Sequence, residues 1–246
     1  MGAIEGAIEL LRLQAEVWGI PLETDELERL EDFGRLLGGY KEANVVGVRA
    51  LRAVILDHIL DSLSCFLFGP LGRARKLVDV GTGGGLPGIP IKIVEPRLRA
   101  TLVEATSKKA RFLRRAVETL TLEPVEVTNA RVEEIARMDV HRGAYDIATA
   151  RAVARLSVVA EYCVPLLRVG GYVISMKGRP EDAEIAEGER AAAELGATVL
   201  DAIPVPRLPE IGKKERRLVI LQKVEETPRV YPRKVGMPVK KPLGVV

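Results

Sequence analysis

The stretch that decides the fold is Leu77-Val78-Asp79-Val80-Gly81-Thr82-Gly83-Gly84-Gly85. A short apolar run leads into a glycine-rich turn, and the apolar residues that begin around Pro87 are typical of a helix. Glycines allow the backbone of such a turn to pass close to a ligand, and the first turn of a helix presents free N–H groups. The pattern predicts a nucleoside-binding loop between a strand and a helix. The alternative is a tight turn without a ligand.

An acidic residue after the next apolar run favours the ligand interpretation. Glu104 ends the run from Ala100 to Val103 and lies 23 residues after Gly81. A carboxylate at that place accepts hydrogen bonds from both ribose hydroxyls of a nucleoside. The dinucleotide fingerprint G-x-G-x-x-G needs glycine where this chain has Leu86. The G-x-G-x-G form favours S-adenosylmethionine, whose sulfonium group needs no pyrophosphate cradle.

The ends of the next two predicted strands narrow the choice of methyl acceptor. The segment from Asn129 to Glu133 is expected beside the adenine edge, and the strand ending at Arg151 is expected to face the methyl acceptor. No Asp-Pro-Pro-Tyr or Asn-Pro-Pro-Tyr motif follows that strand, which disfavours methylation of an exocyclic amine. Cys163 falls inside a predicted helix, which disfavours attack on a pyrimidine C5 by a thiolate. A ring nitrogen, an oxygen or a carboxylate remains as acceptor.

Periodicity divides the chain into three parts. Residues 1–71 have apolar residues at helical spacing, including a predicted helix from Ala50 to Phe68. Residues 72–223 alternate short apolar runs with helical segments, which predicts a seven-stranded, mostly parallel sheet covered on both faces. The last two runs are joined by a short proline-bearing loop, which predicts a hairpin at one sheet edge. Residues 224–246 form a basic, proline-containing tail, expected to be extended on the surface.

Charge is distributed unevenly along these parts. Residues 1–71 carry 12 acids and 6 bases, a charge of −6, whereas residues 224–246 carry 2 acids and 5 bases, a charge of +3. Since the whole chain is +3, residues 72–223 carry +6. A basic body and tail favour a polyanionic partner such as RNA. A surface that is simply soluble is the alternative.

The composition excludes several classes of protein. The apolar stretches are far shorter than the roughly 20 residues of a membrane span, and no basic cluster precedes an apolar run at the N-terminus. Only Cys65 and Cys163 are present, without zinc-ligand spacing. We therefore expect a cytoplasmic protein with buried thiols, no metal site and no membrane partner.

Taken together, the motifs resemble those of the bacterial 16S ribosomal RNA guanine-N7 methyltransferases, also called glucose-inhibited division protein B. The resemblance covers nearly the whole chain and rests on Asn44 ahead of His58-Ile59-Leu60-Asp61-Ser62-Leu63, on Asp79 to Pro90, on Lys108-Lys109 with Phe112-Leu113, on Arg151-Ala152, on Lys177-Gly178, and on Tyr231-Pro232-Arg233-Lys234-Val235-Gly236. One departure is visible, because the family usually reads Asn-Leu-Thr where this chain has Asn44-Val45-Val46. A polar role for position 46 is therefore in question.

The resemblance implies a Rossmann-like class I methyltransferase. It also implies transfer of the methyl group of S-adenosylmethionine to N7 of one guanosine in the 530 loop of 16S rRNA. The partner would be 16S rRNA, the 30S subunit or an assembly intermediate, and the family is usually monomeric. Guanine N7 carries an in-plane lone pair, so the reaction needs positioning and control of charge and no strong general base.

Matched positions supply the candidate site residues. The cofactor-binding residues are expected to be Asp79, Gly81, Gly83, Gly85, Leu86, Glu104, Val132, Glu133 and Arg151. Of these, Glu104 would hold the ribose, Val132 and Glu133 the adenine, and Gly81, Gly83 and the Leu86 backbone the methionine end. The catalytic residues are expected to be Arg151, Lys177, His58 and Asp61.

The roles of the last four residues differ. Arg151 would contact the methionine carboxylate or guanine O6, unless it forms only a surface salt bridge. Lys177 would contact RNA unless it is a solvated lysine. His58, Asp61 and Ser62 lie at i, i+3 and i+4, one face of a helix. They are expected to line the acceptor cleft, although His58 fits an interdomain hydrogen bond equally well.

Basic runs offer further RNA contacts. One is Lys108, Lys109, Arg111, Arg114 and Arg115 on a predicted helix, another is Lys213, Lys214, Arg216 and Arg217, and the third lies in the tail. A solvated surface is the alternative for the first two. For the tail we expect RNA contact or closure over the cofactor. For the whole chain, the alternatives are a small-molecule methyltransferase and a non-catalytic nucleotide-binding module.

Overall fold

The computed structural model describes residues 3–212 and 214–245, which form a seven-stranded sheet with helices on both faces. The strands are β1 Lys76–Val80, β2 Arg99–Val103, β3 Val125–Thr128, β4 Tyr145–Arg151, β5 Leu167–Lys177, β6 Ala197–Pro204 and β7 Arg217–Lys223. The α-helices are α1 Ala3–Val17, α2 Thr24–Gly39, α3 Leu51–Val54, α4 Leu60–Leu63, α5 Gly88–Val94, α6 Ser107–Thr119, α7 Val132–Ile135, α8 Leu156–Cys163, α9 Asp182–Glu194 and α10 Met237–Lys240. None of the helices in this described part of the chain is long and apolar enough to cross a membrane.

The strands lie in the order β3-β2-β1-β4-β5-β7-β6. β1 to β5 run parallel to one another, whereas β7 is antiparallel to β5 and β6. The chain moves outward from β1 to β3 and then crosses to the other side of β1 to form β4. A cleft therefore opens at the carboxyl ends of β1 and β4, the usual ligand site of such sheets. The predicted α/β fold, with its mostly parallel seven-stranded sheet and hairpin at one edge, is confirmed.

Two apolar cores lie on opposite faces of the sheet. Successive residues of β1 point to opposite sides, so Leu77 packs with Phe33 and Ile59 of the N-terminal helical segments, whereas Val78 lies in the core that contains Leu243 of the tail. Complete burial of a side chain such as Phe33 contributes roughly 1.5–3 kcal/mol. The N-terminal helices and the carboxyl-terminal tail thus cover different faces of one sheet.

The predicted helix from Ala50 to Phe68 is not a continuous α-helix. A π-helical turn, Ile55–Ile59, separates α3 from α4, and a 3₁₀ turn, Ser64–Leu67, ends the segment. Periodicity did not reveal the wider turn, because buried residues such as Ile55 and Ile59 still recur at a spacing of four. Turns of this kind are frequent at functional sites. Asp57 and His58 lie within this one and line a cleft at the carboxyl edge of the sheet.

Candidate active site

The glycine-rich loop connects β1 to α5 and touches two other parts of the chain. Gly81 and Gly83 have φ angles of 64° and 59°, a region that residues with side chains rarely adopt. A β-carbon on Gly81 would lie 3.0 Å from Cγ2 of Val153, and one on Gly84 would lie 2.5 Å from the carbonyl oxygen of Val45. The loop therefore packs tightly against both the β4–α8 connection and the N-terminal region.

The buried carboxylate of Asp79 stabilises this loop. Its Oδ2 accepts hydrogen bonds from the Thr82 hydroxyl and from the Gly88 N–H at 2.9 Å, and its Oδ1 accepts one from the Thr149 hydroxyl at 2.9 Å. Burial raises the pKa of Asp79 to about 6, although these hydrogen bonds act in the opposite direction. Both carboxylate oxygens thus bind protein donors, and Asp79 ties the loop to α5 and β4.

A cavity of about 220 Å³ opens beside the loop at the carboxyl ends of β1 and β2. Four of the predicted cofactor residues line it: Gly81, Glu104, Val132 and Glu133. They come from the glycine loop, the end of β2 and the start of α7. The folded chain thus brings together groups expected to hold the two ends of a nucleoside. We call this cavity the nucleoside pocket.

Glu104 points towards the glycine loop. Its Oε2 accepts a hydrogen bond from the Gly83 N–H at 3.0 Å, and its Oε1 accepts one from the Thr106 N–H at 2.7 Å. The residue is 6% exposed. Two backbone donors therefore fix the carboxylate in place at the wall of the nucleoside pocket, and each oxygen keeps a further lone pair for a ligand hydroxyl.

The remaining predicted cofactor residues lie outside the lining of the nucleoside pocket. The N–H groups of Gly85 and Leu86 both donate to the carbonyl of Thr82, at 2.9 and 3.0 Å. They therefore close the loop on itself, and their contact with a cofactor stays a prediction. Arg151 does not line this pocket and instead faces a neighbouring cleft.

This neighbouring cleft has a volume of about 370 Å³ and lies at the carboxyl ends of β4 and β5. The four predicted catalytic residues all line it: His58, Asp61, Arg151 and Lys177. Other parts of its wall are Val48, Asp57, Ala152, Met176, Gly178, Lys214 and Arg216. We call it the cationic cleft, since four of these side chains carry a positive charge.

Arg151 and His58 form a directed pair in the cationic cleft. Nη2 of Arg151 lies 2.6 Å from Nδ1 of His58, and Nη1 donates to the His58 carbonyl at 3.1 Å. Because a guanidinium only donates, Nδ1 is the acceptor and the imidazole proton lies on Nε2. Burial, together with the Arg151 charge, lowers the pKa of His58 to about 4. Nε2 is buried and has no hydrogen-bond partner among the described residues.

Asp61 joins three arginines at the floor of the cleft. Its Oδ1 lies 2.9 Å from Nη2 of Arg207 and 3.3 Å from Nε of Arg216, and its Oδ2 lies 3.6 Å from Nη1 of Arg151. The carboxylate is almost completely buried. Since the arginines belong to β4 and to the β6–β7 connection, Asp61 holds α4 against both.

Lys177 is neither solvated nor free to move. Its ammonium group donates to the Ala154 carbonyl and forms an ion pair with Glu184 at 2.7 Å. Glu184 also accepts the Leu156 N–H at 2.9 Å, at the start of α8. Lys177 therefore braces α8 and α9 at the edge of the cationic cleft, and any RNA contact would have to share its charge with Glu184.

Comparison with known proteins identifies the family. The model of the family described as rRNA small subunit methyltransferase G matches residues 26–209. The chain belongs to this family. A member from Rubrobacter xylanophilus, named Ribosomal RNA small subunit methyltransferase G, is 55% identical over 96% of this chain and 91% of its own length. One of the same name from Roseiflexus castenholzii is 41% identical, over 96% of this chain and 99% of its own length.

Solved structures agree on the fold. The O-methyltransferase TomG from Streptomyces achromogenes, determined in complex with S-adenosylmethionine, superimposes with a TM-score of 0.57 at 14% identity, covering 87% of this chain and 96% of TomG. The mitomycin 7-O-methyltransferase MmcR gives 0.53 at 16% identity, covering 72% of this chain and 56% of MmcR. At such identities the likeness concerns the fold, which is that of the class I methyltransferases.

Two features of this rRNA small subunit methyltransferase G fold escaped sequence reasoning. Tyr162 of α8 lines the nucleoside pocket together with Glu133, and burial followed by the Glu133 charge raises the pKa of Tyr162 to about 12. Arg207 and Arg216 reach Asp61 from about 150 residues further along the chain. Neither feature leaves a local spacing signal. Arg216 belongs to a basic run that predicts an RNA contact or a solvated surface and not a partner for Asp61, and Lys213 of this run lies outside the described residues.

The tail is tied to the methyltransferase fold by directed contacts. Arg233 forms a bidentate ion pair with Glu161, which is completely buried, with the shortest N···O distance 2.6 Å. Arg142 donates to three tail carbonyls. The Gly236 N–H donates to Oε1 of Glu133 at 2.9 Å, directly behind the nucleoside pocket. The tail lysines, Lys234, Lys240 and Lys241, are exposed.

The basic face of α6 is exposed on this family fold. Lys108, Arg111, Arg114 and Arg115 point to solvent, and no acidic side chain among the described residues lies within ion-pair distance of them. The stripe is thus accessible to a polyanion, and its contact with RNA stays a prediction.

Proposed function

We propose that this protein transfers the methyl group of S-adenosylmethionine to N7 of one guanosine in the 530 loop of 16S rRNA. Membership of the rRNA small subunit methyltransferase G family supports an rRNA substrate. The observation that carries the proposal is the position of the two cavities side by side. Ala152, with a φ of 53°, belongs to the cationic cleft, and the next residue, Val153, belongs to the nucleoside pocket.

The nucleoside pocket suits the cofactor. Gly81 brings bare main chain to the wall of the pocket, where a β-carbon would lie only 3.0 Å from Val153, and Glu104 has the geometry to accept ribose hydroxyls. Glu133, held by the tail, is placed to accept a hydrogen bond from an exocyclic amine such as that of adenine. When bound, S-adenosylmethionine supplies a methyl group attached to a positively charged sulfur. These residues would hold the cofactor beside the cationic cleft.

In the cationic cleft the protein's task is to orient the guanine. N7 attacks with its own lone pair, so no residue has to remove a proton. This agrees with a histidine whose pKa is about 4, since such a group is a weak base. Arg151 and the unpartnered Nε2–H of His58 are donors suited to guanine O6. Asp61 is a positioning residue, because it holds Arg151 without needing to touch the base.

The proposal includes the setting of the reaction. Ribosomal RNA is the substrate in the cytoplasm, and the resemblance to the guanine-N7 methyltransferases implies a monomer. A comparison of methyl transfer to naked 16S rRNA, to an assembly intermediate and to the 30S subunit shows which of the three is the substrate. Light scattering on the purified protein tests the monomer directly.

The test is methyl transfer to RNA with the product mapped. The purified protein is incubated with tritiated S-adenosylmethionine and naked 16S rRNA, precursor particles or 30S subunits from cells that lack the activity. We expect one N7-methylguanosine in the 530 loop, located by chain cleavage at the modified base. Methyl groups on another atom would contradict the proposal. Binding of the cofactor without transfer to any RNA form would favour a small-molecule methyltransferase or a non-catalytic module.

A further inference from the structure

The mouth of the cationic cleft carries more positive charge than its own carboxylates balance. Its lining contains four cations, Arg151, Lys177, Lys214 and Arg216, and two anions, Asp57 and Asp61. His58 is neutral there. The lining therefore has a formal charge of +2, and this excess is unchanged when the bonded neighbours are counted, because Arg207 on Asp61 and Glu184 on Lys177 cancel. Net charge held in a partly buried site is costly unless a counter-ion completes it.

The charge is graded from the floor of the cleft to its mouth. The side chain of Arg151 is 15% exposed, that of Arg216 is 30% and that of Lys214 is 61%. Lys214 lies 3.4 Å from Asp57, and Arg216 lies 3.3 Å from Asp61, which is already bonded to Arg207 at 2.9 Å. Neither cation at the mouth has a carboxylate to itself in a desolvated, well-aligned pair. An anion that arrives from solvent meets these two side chains first.

We propose that Lys214 and Arg216, on the connection between β6 and β7, bind the phosphate backbone of the RNA beside the nucleotide that is methylated. This inference rests on the proposed function. It places at the mouth of the cleft two residues that the sequence offered only as part of a basic run with a general RNA contact. Phosphate contacts fix the register of a nucleic acid, whereas contacts to base edges select the base. Arg151 and His58 orient the guanine, and the β6–β7 connection holds the strand.

The methionine carboxylate of the cofactor is a less suitable partner for this pair. Lys214 and Arg216 line the cationic cleft and not the nucleoside pocket, and the linings of these two cavities have no described residue in common. The cofactor would enter beside Gly81 and Glu104, on the far side of Ala152. An anion carried by a large solvent-borne molecule fits the exposed position of Lys214 better.

The test compares Lys214→Gln/Arg216→Gln with the wild type for binding to a 16S rRNA transcript that contains the 530 hairpin. Binding is measured over a range of salt concentrations. Two lost phosphate contacts are expected to weaken binding on the order of 10-fold and to reduce the slope of log K against log salt by about 1.4, twice the value of roughly 0.7 for each single-stranded contact. Affinity for S-adenosylmethionine, measured by calorimetry, is expected to be unchanged.

Two further variants separate this role from loss of folding or of bulk charge. Lys214→Gln alone leaves the buried Asp61 network intact. It is expected to reduce the slope by about half as much as the double variant does. Arg97→Gln/Arg99→Gln removes the same charge from exposed positions at the opposite, amino-terminal edge of the sheet and serves as the matched control.

Each outcome decides a different statement. An unchanged affinity and slope for both cleft variants, in a protein that methylates 16S rRNA, would overturn the phosphate contact. An equal loss of RNA affinity in the Arg97/Arg99 control would show only a general effect of charge. A loss of cofactor affinity in the cleft variants would assign Lys214 and Arg216 to the methionine carboxylate instead. Failure of the wild type to methylate 16S rRNA would refute the proposed function, whatever these variants do.

Discussion

The two cavities at the carboxyl edge of the sheet are built by different means. The nucleoside pocket has Gly81 of the glycine loop in its wall, and its carboxylates, Glu104 and Glu133, are held by backbone N–H groups. The cationic cleft is made of long charged side chains, and its arginines converge on one buried carboxylate, Asp61. A ligand that is the same in every cycle suits the rigid pocket. A charged strand with many conformations suits side chains that can exchange one anion for another.

The largest expected effect comes from breaking the support of the cationic cleft. Asp61→Ala leaves Arg151, Arg207 and Arg216 facing one another without their shared carboxylate. Removal of one partner from a buried ion pair destabilises a protein by about 3–5 kcal/mol. Chemical denaturation is expected to show a loss of this size, together with loss of methyl transfer.

Asp57→Ala is the matched control, because its partner Lys214 is mostly exposed. Exposed pairs contribute at most about 1 kcal/mol. Equal losses of unfolding free energy in the two variants would show that the buried carboxylate, Asp61, stabilises the protein no more than the exposed pair at the rim.

The second change affects only the nucleoside pocket. Glu104→Gln keeps the shape of the side chain but turns an amide NH₂ towards the N–H of Gly83 or Thr106. Hydrogen bonds to a charged group contribute about 1.5–3 kcal/mol, so affinity for S-adenosylmethionine is expected to fall roughly 10- to 100-fold. Calorimetry measures it, and RNA binding without cofactor is expected to stay unchanged. Glu126→Gln, on the exposed edge strand, is the control. Cofactor binding that survives Glu104→Gln would remove this residue from the site.

The third change tests whether the tail supports cofactor binding in the nucleoside pocket or RNA binding. Truncation after Lys223 removes the Gly236 N–H that holds Glu133. Loss of one such bond predicts about a 10-fold weaker affinity for S-adenosylmethionine, with less effect on RNA binding. Thermal unfolding of the truncated protein is measured in parallel, because the tail also covers Glu161.

A variant that keeps the tail but neutralises Lys234, Lys240 and Lys241 gives the opposite test. These side chains are exposed, so the contacts with Glu133 and Glu161 remain. If the lysine variant loses RNA affinity while the truncated protein keeps its cofactor affinity, the tail is an RNA-binding arm rather than a closure over the nucleoside pocket.

The contrast between the cavities also explains how far sequence reasoning reached. The nucleoside pocket is local to strand ends, and a glycine loop followed by Glu104 has a spacing that the parallel sheet itself imposes. The cationic cleft depends on contacts between distant segments. His58 and Asp61 belong to a motif of the family resemblance, and helical spacing predicted that they share one face. The π turn that contains His58 and the arginines that reach Asp61 were not predicted. A run of basic residues shows where cations lie in the sequence, but it does not predict which carboxylate each will pair with in the fold.

The last change is one of pH, and its effect originates in the cationic cleft. Burial and the Arg151 and Lys214 charges lower the pKa of His58 from 6.5 to about 4, against the opposing effect of Asp57 and Asp61. A base with a lowered pKa in the folded state binds fewer protons than in the unfolded chain between these values. The stability that depends on neutral His58 is therefore complete above pH 6.5 and is lost as the pH falls towards 4. His58→Gln is expected to lose less free energy of unfolding than the wild type between pH 7 and pH 4, as measured by urea titration. Identical losses would mean that burial and the Arg151 charge do not keep the imidazole neutral, and that His58 is not available as a neutral donor for the base.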